Sequence, residues 1–174
     1  MTPGEDRRRA VGARISAIRK QRGLSLSGLA REARIGKGSL SELESGQRNP
    51  TLDTLYAIAG PLGVPLSALL GEESGVEGAG PHLAARVLHV EHHDDGSVTE
   101  VFWLRVSPGG TRESPAHGPG VIEHVYVVSG HLRAGRAGEE RAAGPGESLH
   151  WLSDVPHTYR SDDGALAVLT IRTP

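Results

Sequence analysis

The fold of the N-terminal part of the chain is decided by residues 24–52, LSLSGLAREARIGKGSLSELESGQRNPTL. This stretch predicts two short helices joined by a tight turn. Ser25 can cap the free backbone donors of the first helix, and Gly46 can end the second in a left-handed conformation. Each helix has one apolar face at helical spacing, formed by Leu26, Leu29, Ala30 and Ala33 in the first and by Ile35, Leu40 and Leu43 in the second. The opposite faces are left for other contacts.

Further helices are predicted on both sides of this stretch. Val11, Ile15 and Ile18 mark an earlier helix. After the turn at Asn49-Pro50, a capped helix is expected from Thr51, and a short one follows Pro65. The apolar positions of these last two helices are Leu52, Leu55, Ile58 and Leu62, and then Leu66, Leu69 and Leu70. The sequence thus predicts five helices in about 60 residues, close to the lower size limit of a self-standing domain.

Residues 11–70 resemble the lambda-repressor or Cro-type helix-turn-helix, also called the xenobiotic-response-element family. The resemblance runs through the helix starts, the Glu44-Ser45-Gly46 ending and the Asn49-Pro50-Thr51-Leu52 turn together. It implies that the helix beginning at Lys37 lies in the major groove of DNA. The base-facing residues that it implies are Lys37, Gly38, Ser39, Ser41 and Glu42, and those against phosphates or groove edges are Ser25, Leu26, Arg48 and Asn49.

The same resemblance implies a structural ion pair between Arg19 in the first helix and Glu44 before the glycine stop. One departure from the family pattern is a weak start of the groove-facing helix. Gly36, Gly38 and Ser39 have low helix propensity and offer no long hydrogen-bonding side chains. We therefore expect base readout to rest on few contacts, with DNA shape supplying the rest.

The distribution of charge favours a DNA-binding domain over the alternative, a helical scaffold that binds protein. Residues 1–70 hold 11 Lys and Arg against 6 Asp and Glu, a net charge of +5. The remainder holds 8 Arg against 15 acidic residues, a net charge of −7, although the whole chain carries only −2. Positive charge is concentrated where phosphate neutralisation requires it, which favours binding to double-stranded DNA. We expect this helix-turn-helix domain to span residues 8–70.

The pattern changes after residues 71–80, a Gly- and Glu-rich stretch that predicts a flexible linker. Over residues 81–174, apolar residues alternate at period two between turns rich in Asp, Pro and Gly. Strands are predicted over 85–92, 98–106, 121–129, 148–152 and 166–171. The second domain is therefore expected to be an all-β sandwich or barrel, which makes the fold class a two-domain α + β chain.

Two motifs stand out in the β domain. They are His117-Gly-Pro-Gly-Val-Ile-Glu123 followed by Gly130, and Gly144-Pro145-Gly146 followed by Pro156-His157. They resemble the two signature motifs of the cupin jelly-roll barrel, over residues 82–174. That family brings three histidines and one carboxylate together inside the barrel as a metal site. Pro119 stands where the second histidine is expected, and it offers no lone pair to a metal.

The remaining groups, His117, Glu123 and His157, leave two interpretations open. Two imidazoles and a carboxylate can hold a divalent transition metal with open coordination positions. Alternatively, the three form a metal-free, hydrogen-bonded polar cluster that lines a ligand pocket, an interpretation favoured by the loss of one ligand. A metal is the one cofactor that the sequence suggests, and no catalytic residues are assigned.

Histidines are confined to the second domain, since all nine follow residue 81. Alternation along the strand places His124 on the face opposite to Glu123, outside the barrel or at a dimer contact. His150 shares a face with Ser148 and Leu152, and the pattern does not say whether that face is the inner one.

Composition excludes several classes of protein. The chain has no cysteine, which excludes disulfides, thiolate zinc sites and a cysteine nucleophile. No apolar run approaches membrane length, and the charged N-terminus lacks a signal-peptide core. We therefore expect a cytoplasmic protein without membrane contact.

Together these features predict a sequence-specific DNA-binding transcription regulator and not an enzyme. A homodimer is expected, because one small domain with few base contacts binds weakly and a two-fold dimer doubles those contacts. The cupin domain would dimerise the chain and sense a small-molecule effector. One alternative is a metal-dependent cupin enzyme with an accessory DNA-binding domain, against which the missing histidine argues. Another is a β domain that serves only for dimerisation.

Overall fold

A computed structural model describes residues 3–71, 77–80 and 82–174 of the chain. The chain divides into two compact units, Met1–Gly71 and Glu72–Pro174. Helices form the first unit and strands form the second, so the predicted order of a helical domain followed by a β domain is confirmed.

The described part of the first unit contains the five predicted helices. Their bounds are α1 Pro3–Gln21, α2 Leu26–Glu32, α3 Lys37–Glu44, α4 Leu52–Leu62 and α5 Leu66–Leu70. Ser25 caps α2 by accepting a hydrogen bond from the backbone N–H of Gly28 at 3.0 Å, as predicted. Gly46 follows the C-cap of α3, and its φ of +71° supplies the predicted left-handed conformation. None of these helices is long and apolar enough to cross a membrane.

The apolar faces of the helices form one core. Its buried members include Val11, Ile15, Leu29, Leu40, Leu43, Leu55, Ile58, Leu62, Leu66, Leu69 and Leu70. The side chain of Leu52 lies outside the described residues. Helices α1 and α3 approach closely at Gly12, where a Cβ atom would lie 2.2 Å from the backbone oxygen of Leu43. The absence of a side chain at Gly12 therefore lets α3 pack directly against the backbone of α1.

Arg19 and Glu44 form the ion pair that the family resemblance implied. Nε of Arg19 lies 2.6 Å from Oε1 of Glu44, and its Nη2 lies 2.8 Å from Oε2, which is a bidentate arrangement. Both side chains are 10% exposed, so the pair joins α1 to the end of α3 at a largely water-excluded position. Burial raises the pKa of Glu44, but hydrogen bonds from Arg19 and Ser16 outweigh burial and hold this pKa below its ordinary value.

The described part of the second unit contains ten strands in two antiparallel sheets. Their bounds are β1 Glu77–Gly80, β2 Leu83–His92, β3 Val98–Val106, β4 Gly110–Ser114, β5 Ile122–Gly130, β6 Leu132–Arg136, β7 Arg141–Ala143, β8 Ser148–Leu152, β9 His157–Ser161 and β10 Ala165–Thr173. One sheet has the order β1-β2-β3-β10-β5-β8 and the other β4-β9-β6-β7. The sheets face each other, since side chains of β9 contact those of β5 and β8. No strand pairing joins them in the described ranges, so the unit is a two-sheet sandwich rather than a barrel closed by hydrogen bonds.

All five predicted strands are present, and all five belong to the six-stranded sheet as β2, β3, β5, β8 and β10. The period-two pattern predicts none of the four strands of the other sheet. Those strands are three to five residues long and contain Arg, Gly, Ser and Thr in place of an apolar alternation. Several of their inward-facing residues are polar, among them Arg112, His157 and Ser161. A sheet with a polar inner face carries little hydrophobic signal.

The structure corrects the last part of the linker predicted over residues 71–80. Glu77–Gly80 forms the edge strand β1, which pairs Glu77 with Arg86 and Gly80 with Leu83. An edge strand is held by backbone hydrogen bonds, so a glycine-rich segment can join a sheet without any apolar alternation. Residues 72–76 of the predicted linker lie outside the described residues.

The pKa of Glu44 predicts how the stability of the helical unit depends on pH. A carboxylate whose pKa is lower in the folded than in the unfolded chain stabilises the fold above its unfolded value, here near 4.5. This contribution is lost as the pH falls further. We expect Glu44→Gln to be less stable than wild type at neutral pH, and the difference to shrink as the pH falls below about 4.5.

Protection of the α1 and α3 amides against hydrogen exchange in the full-length chain measures this difference. The matched control is Glu42→Gln, which removes an exposed carboxylate from the same helix and should change stability little. A Glu44→Gln effect of equal size at neutral and acid pH would contradict the stabilising role of the ion pair.

Candidate nucleic-acid interface and interior His-Glu cluster

Helix α3 has two faces of opposite character. Leu40 and Leu43 are buried, whereas the other side exposes Lys37, Gly38, Ser41 and Glu42, with Ser39 half-buried. The helix follows Gly36, whose extended backbone provides no capping side chain. The N–H groups of the first turn therefore lack a side-chain cap, and together with Lys37 they suit a phosphate oxygen.

Arg48 lies against the exposed face of α3. Its Nη1 donates a hydrogen bond to Oγ of Ser39 at 3.2 Å and lies 3.7 Å from Oε2 of Glu42. The side chains of Arg48 and Glu42 are 57% and 52% exposed, so this ion pair contributes little to stability. Opening it to let the guanidinium contact DNA costs correspondingly little. The structure thus brings Arg48 together with two of the residues that were implied to face bases.

The other implied DNA contacts lie on neighbouring segments. Ser25 is the N-cap of α2, and its Oγ already accepts the N–H of Gly28. Leu26 begins α2 and is half-buried, and Asn49 is exposed beyond the end of α3. A DNA contact by Ser25 would therefore be made in addition to its capping bond.

In the β unit, His117, Glu123 and His157 meet between the two sheets. Nδ1 of His117 and Nε2 of His157 each lie 3.0 Å from the same oxygen, Oε1 of Glu123. The side chains of Glu123 and His157 are fully buried, and that of His117 is 7% exposed. Glu123 belongs to β5, His157 to β9, and His117 to the loop before β5. The sandwich therefore gathers the three predicted residues at one interior point.

Neighbouring groups orient this cluster. The hydroxyl of Tyr159 donates a hydrogen bond to Oε2 of Glu123. Nδ1 of His157 lies 3.1 Å from the carbonyl oxygen of Val155, and because a carbonyl oxygen only accepts, Nδ1 carries the proton. The ring of Trp151 lies 5.9 Å from that of His157.

Tyr159 and Trp151 were not among the residues predicted at this site. The signal for Tyr159 is its period-two spacing from His157, which places both side chains on the inner face of β9. Trp151 is found only through strand pairing, since it lies directly opposite Glu123. Arg112, which is buried on β4 opposite Tyr159, was missed for the same reason.

The charges of the cluster depend on one another. Burial raises the pKa of Glu123, but the two imidazoles outweigh this effect and hold that pKa well below its ordinary value. Burial lowers the pKa of His157, whereas the carboxylate of Glu123 raises it by more. The positive charge of Arg112 lowers the pKa of His157. Glu123 is therefore ionised in the folded chain.

This donor set fits a divalent transition metal. The ligand atoms of the three residues lie within 4.8 Å of one another. Two atoms bound about 2.1 Å from one ion are at most about 4.2 Å apart, so a small side-chain rotation is needed for all three to bind it. Oε1 of Glu123 and Nε2 of His157 lie 3.0 Å apart without a hydrogen bond between them, so both can turn to an ion when Nε2 is deprotonated. The Val155 carbonyl is the kind of outer partner that orients a metal-binding imidazole. Pro119 is exposed and adds no ligand, which leaves two imidazoles and one carboxylate.

Comparison with known protein families assigns both units. Residues 15–69 match the Helix-turn-helix family HTH_3, and residues 102–172 match the Cupin domain family Cupin_2. Both family resemblances of the sequence are thereby confirmed.

Similar proteins include transcriptional regulators from several bacteria and a phage. The HTH-type transcriptional regulator SutR of Escherichia coli (strain K12) is 32% identical over 160 residues, which cover 90% of each chain. The immunity repressor protein of Bacillus phage phi105 is 47% identical over 64 residues, which cover 37% of this chain and 44% of the repressor.

A solved structure extends the comparison to the fold of both units. The crystal structure of an HTH_3 family transcriptional regulator from Vibrio cholerae has a TM-score of 0.85 and 25% identity, over 98% of this chain and 99% of that one. Similarity of this extent covers the helical unit and the β unit together. The chain therefore belongs to the HTH-type transcriptional regulators that carry an N-terminal helix-turn-helix domain and a C-terminal cupin domain, and it is a DNA-binding regulator of transcription.

Proposed function

We propose that this regulator binds double-stranded DNA through the exposed face of α3, as a cytoplasmic homodimer whose cupin domain senses a small-molecule effector. The observation that carries the proposal is α3 itself, a short helix anchored on its apolar side whose outward face is polar and exposed. The proposed base-facing residues are Lys37, Gly38, Ser39, Ser41 and Glu42, and the proposed phosphate or groove-edge contacts are Ser25, Leu26, Arg48 and Asn49.

The short and the long side chains in and near α3 have different proposed roles in DNA binding. Gly38, Ser39 and Ser41 are small, so the helix backbone can approach the base edges closely. Lys37 and Arg48 supply positive charge for phosphates or guanine, and Glu42 can accept a hydrogen bond from the amino group of cytosine. Because so few long side chains reach the bases, a two-fold dimer that reads two half-sites supplies the affinity that one domain lacks.

The effector site is proposed at the cluster of His117, Glu123 and His157. This interior holds an ionised carboxylate, two imidazoles and the hydroxyl of Tyr159. In addition, Nε1 of Trp151 is buried without a hydrogen-bond acceptor in the described structure. A buried donor without an acceptor is expensive, so it is a natural contact for an oxygen atom of a ligand.

We further propose that the cluster holds a divalent transition metal through His117, Glu123 and His157. Bound there, such an ion offers open coordination positions to an oxygen or nitrogen atom of the effector. The alternative of a metal-dependent enzyme has the same three residues to support it. The regulator is preferred because SutR and the Vibrio cholerae protein, each similar over nearly the whole chain, are named transcriptional regulators.

The placement of α3 is tested by Lys37→Ala. We expect weaker binding to duplex DNA from the regulator's own promoter region, and a slope of log affinity against log salt that is smaller by about one, because one phosphate-neutralising charge is lost. Fluorescence anisotropy of the full-length chain at several salt concentrations measures both quantities. Lys20→Ala, which removes the same charge from an exposed position in α1, should keep the wild-type slope. Identical titrations for wild type and Lys37→Ala would refute the proposal.

Elemental analysis of the tag-free chain tests whether the cluster binds a metal ion. We expect one transition-metal ion per chain to survive purification and to be lost in His157→Ala, because the two remaining ligands bind weakly. His89→Ala removes an exposed histidine of β2 and should leave the metal content unchanged. A wild-type chain without stoichiometric metal would remove both the metal and the enzyme alternative, leaving a hydrogen-bonded effector pocket.

A further inference from the structure

The outer face of the six-stranded sheet carries two histidines side by side. His124 of β5 and His150 of β8 lie directly opposite each other in the antiparallel register, and both are exposed. Their ring centroids are 6.1 Å apart at an interplanar angle of 67°. Neither imidazole has a hydrogen-bond or ion-pair partner elsewhere in the described structure. Nitrogen lone pairs are thus concentrated at one place on this surface.

We propose that His124 and His150 form a chelating site for a divalent transition-metal ion. Directly opposite residues on adjacent antiparallel strands have Cβ atoms about 4.5–5.5 Å apart. Across that distance two imidazoles can direct one nitrogen each to a common ion, at about 2.0–2.1 Å. A small rotation of the two rings is sufficient to bring them together from their 6.1 Å separation. Imidazole is a preferred ligand of zinc, copper and nickel, which sets the class of ion.

The surroundings of the pair suit such an ion. Ile122 and Leu152 lie on one side and Tyr126 on the other, with 43%, 45% and 50% of their surface exposed. These apolar side chains restrict water laterally while leaving the face itself accessible. β8 is the last strand of the sheet in the described ranges, so no further strand of the sheet lies beside His150. The remaining coordination positions are therefore available to water or to a ligand from outside the chain.

The backbone at this position is also held in place. Nη2 of Arg141 donates a hydrogen bond to the carbonyl oxygen of His150 at 3.0 Å, which ties the edge strand to β7 of the other sheet. On its other side, His124 faces Thr170 of the central strand β10. Both histidines thus project from fixed strands, and a chelate there needs only side-chain rotation.

This outer pair is separate from the interior cluster. Strand alternation directs Glu123 and Trp151 inward, and His124 and His150 outward, on the same two strands. No ligand atom is shared between the two sites. A substitution at one site therefore leaves the ligands of the other unchanged, which makes the two separable by mutation.

Titration calorimetry with Zn²⁺ on the tag-free, full-length His157→Ala chain tests the proposal, because that background lacks one interior ligand. We expect Zn²⁺ binding at the outer pair to be lost when either His124→Ala or His150→Ala is added, since a single imidazole cannot chelate. The control His89→Ala should keep the affinity, because this exposed histidine lies opposite Val101 rather than another histidine. Equal Zn²⁺ affinity with and without the His124 and His150 substitutions would overturn the proposal.

NMR of the unsubstituted chain gives a second measurement that does not depend on any variant folding. On addition of Zn²⁺, the imidazole resonances of His124 and His150 should shift together and saturate at the same concentration. Shifts confined to the interior histidines His117 and His157 would overturn the proposal.

Discussion

The bidentate ion pair between Arg19 and Glu44 fixes the position of α3, and the proposed DNA-binding surface depends on it. Glu44 is the last residue of α3, so the pair holds that helix at its end, while Gly12 allows its backbone to lie directly against α1. Removing either charge would leave the other in a largely water-excluded position, which is costly. Because the inner side of α3 is held in this way, the short polar residues on its outer side can form a surface of fixed shape.

The β unit differs from the helical unit in that it holds ionisable groups in the interior of a small sandwich. The carboxylate of Glu123 is tolerated there because two imidazoles and the Tyr159 hydroxyl surround it. The resulting polar interior suits ligand binding better than stability. In the proposed dimer, an effector can bind this interior with different affinity when the two α3 helices fit their DNA half-sites and when they do not. That difference in affinity is the coupling free energy between the effector site and the DNA-binding surface.

The helical half of the chain was largely predictable from sequence, because caps, apolar spacing and the glycine stop at Gly46 act locally. In the β half, strands with apolar alternation were found, whereas β4, β6, β7 and β9 were not, since their inner faces carry residues such as Arg112 and His157. The cluster of His117, Glu123 and His157 was predicted from motif resemblance. Trp151 could not be added to it, because its position opposite Glu123 follows from strand register, which no local pattern encodes.

We propose that α3 is the element that enters the DNA groove. NMR of the full-length chain with and without promoter DNA tests it most directly, through the backbone amide resonances of each helix. The largest changes should fall on Lys37–Glu44 and on the Arg48-Asn49 turn, and they should diminish as salt is raised. Specific DNA binding with changes that leave α3 unaffected would show instead that another element enters the groove.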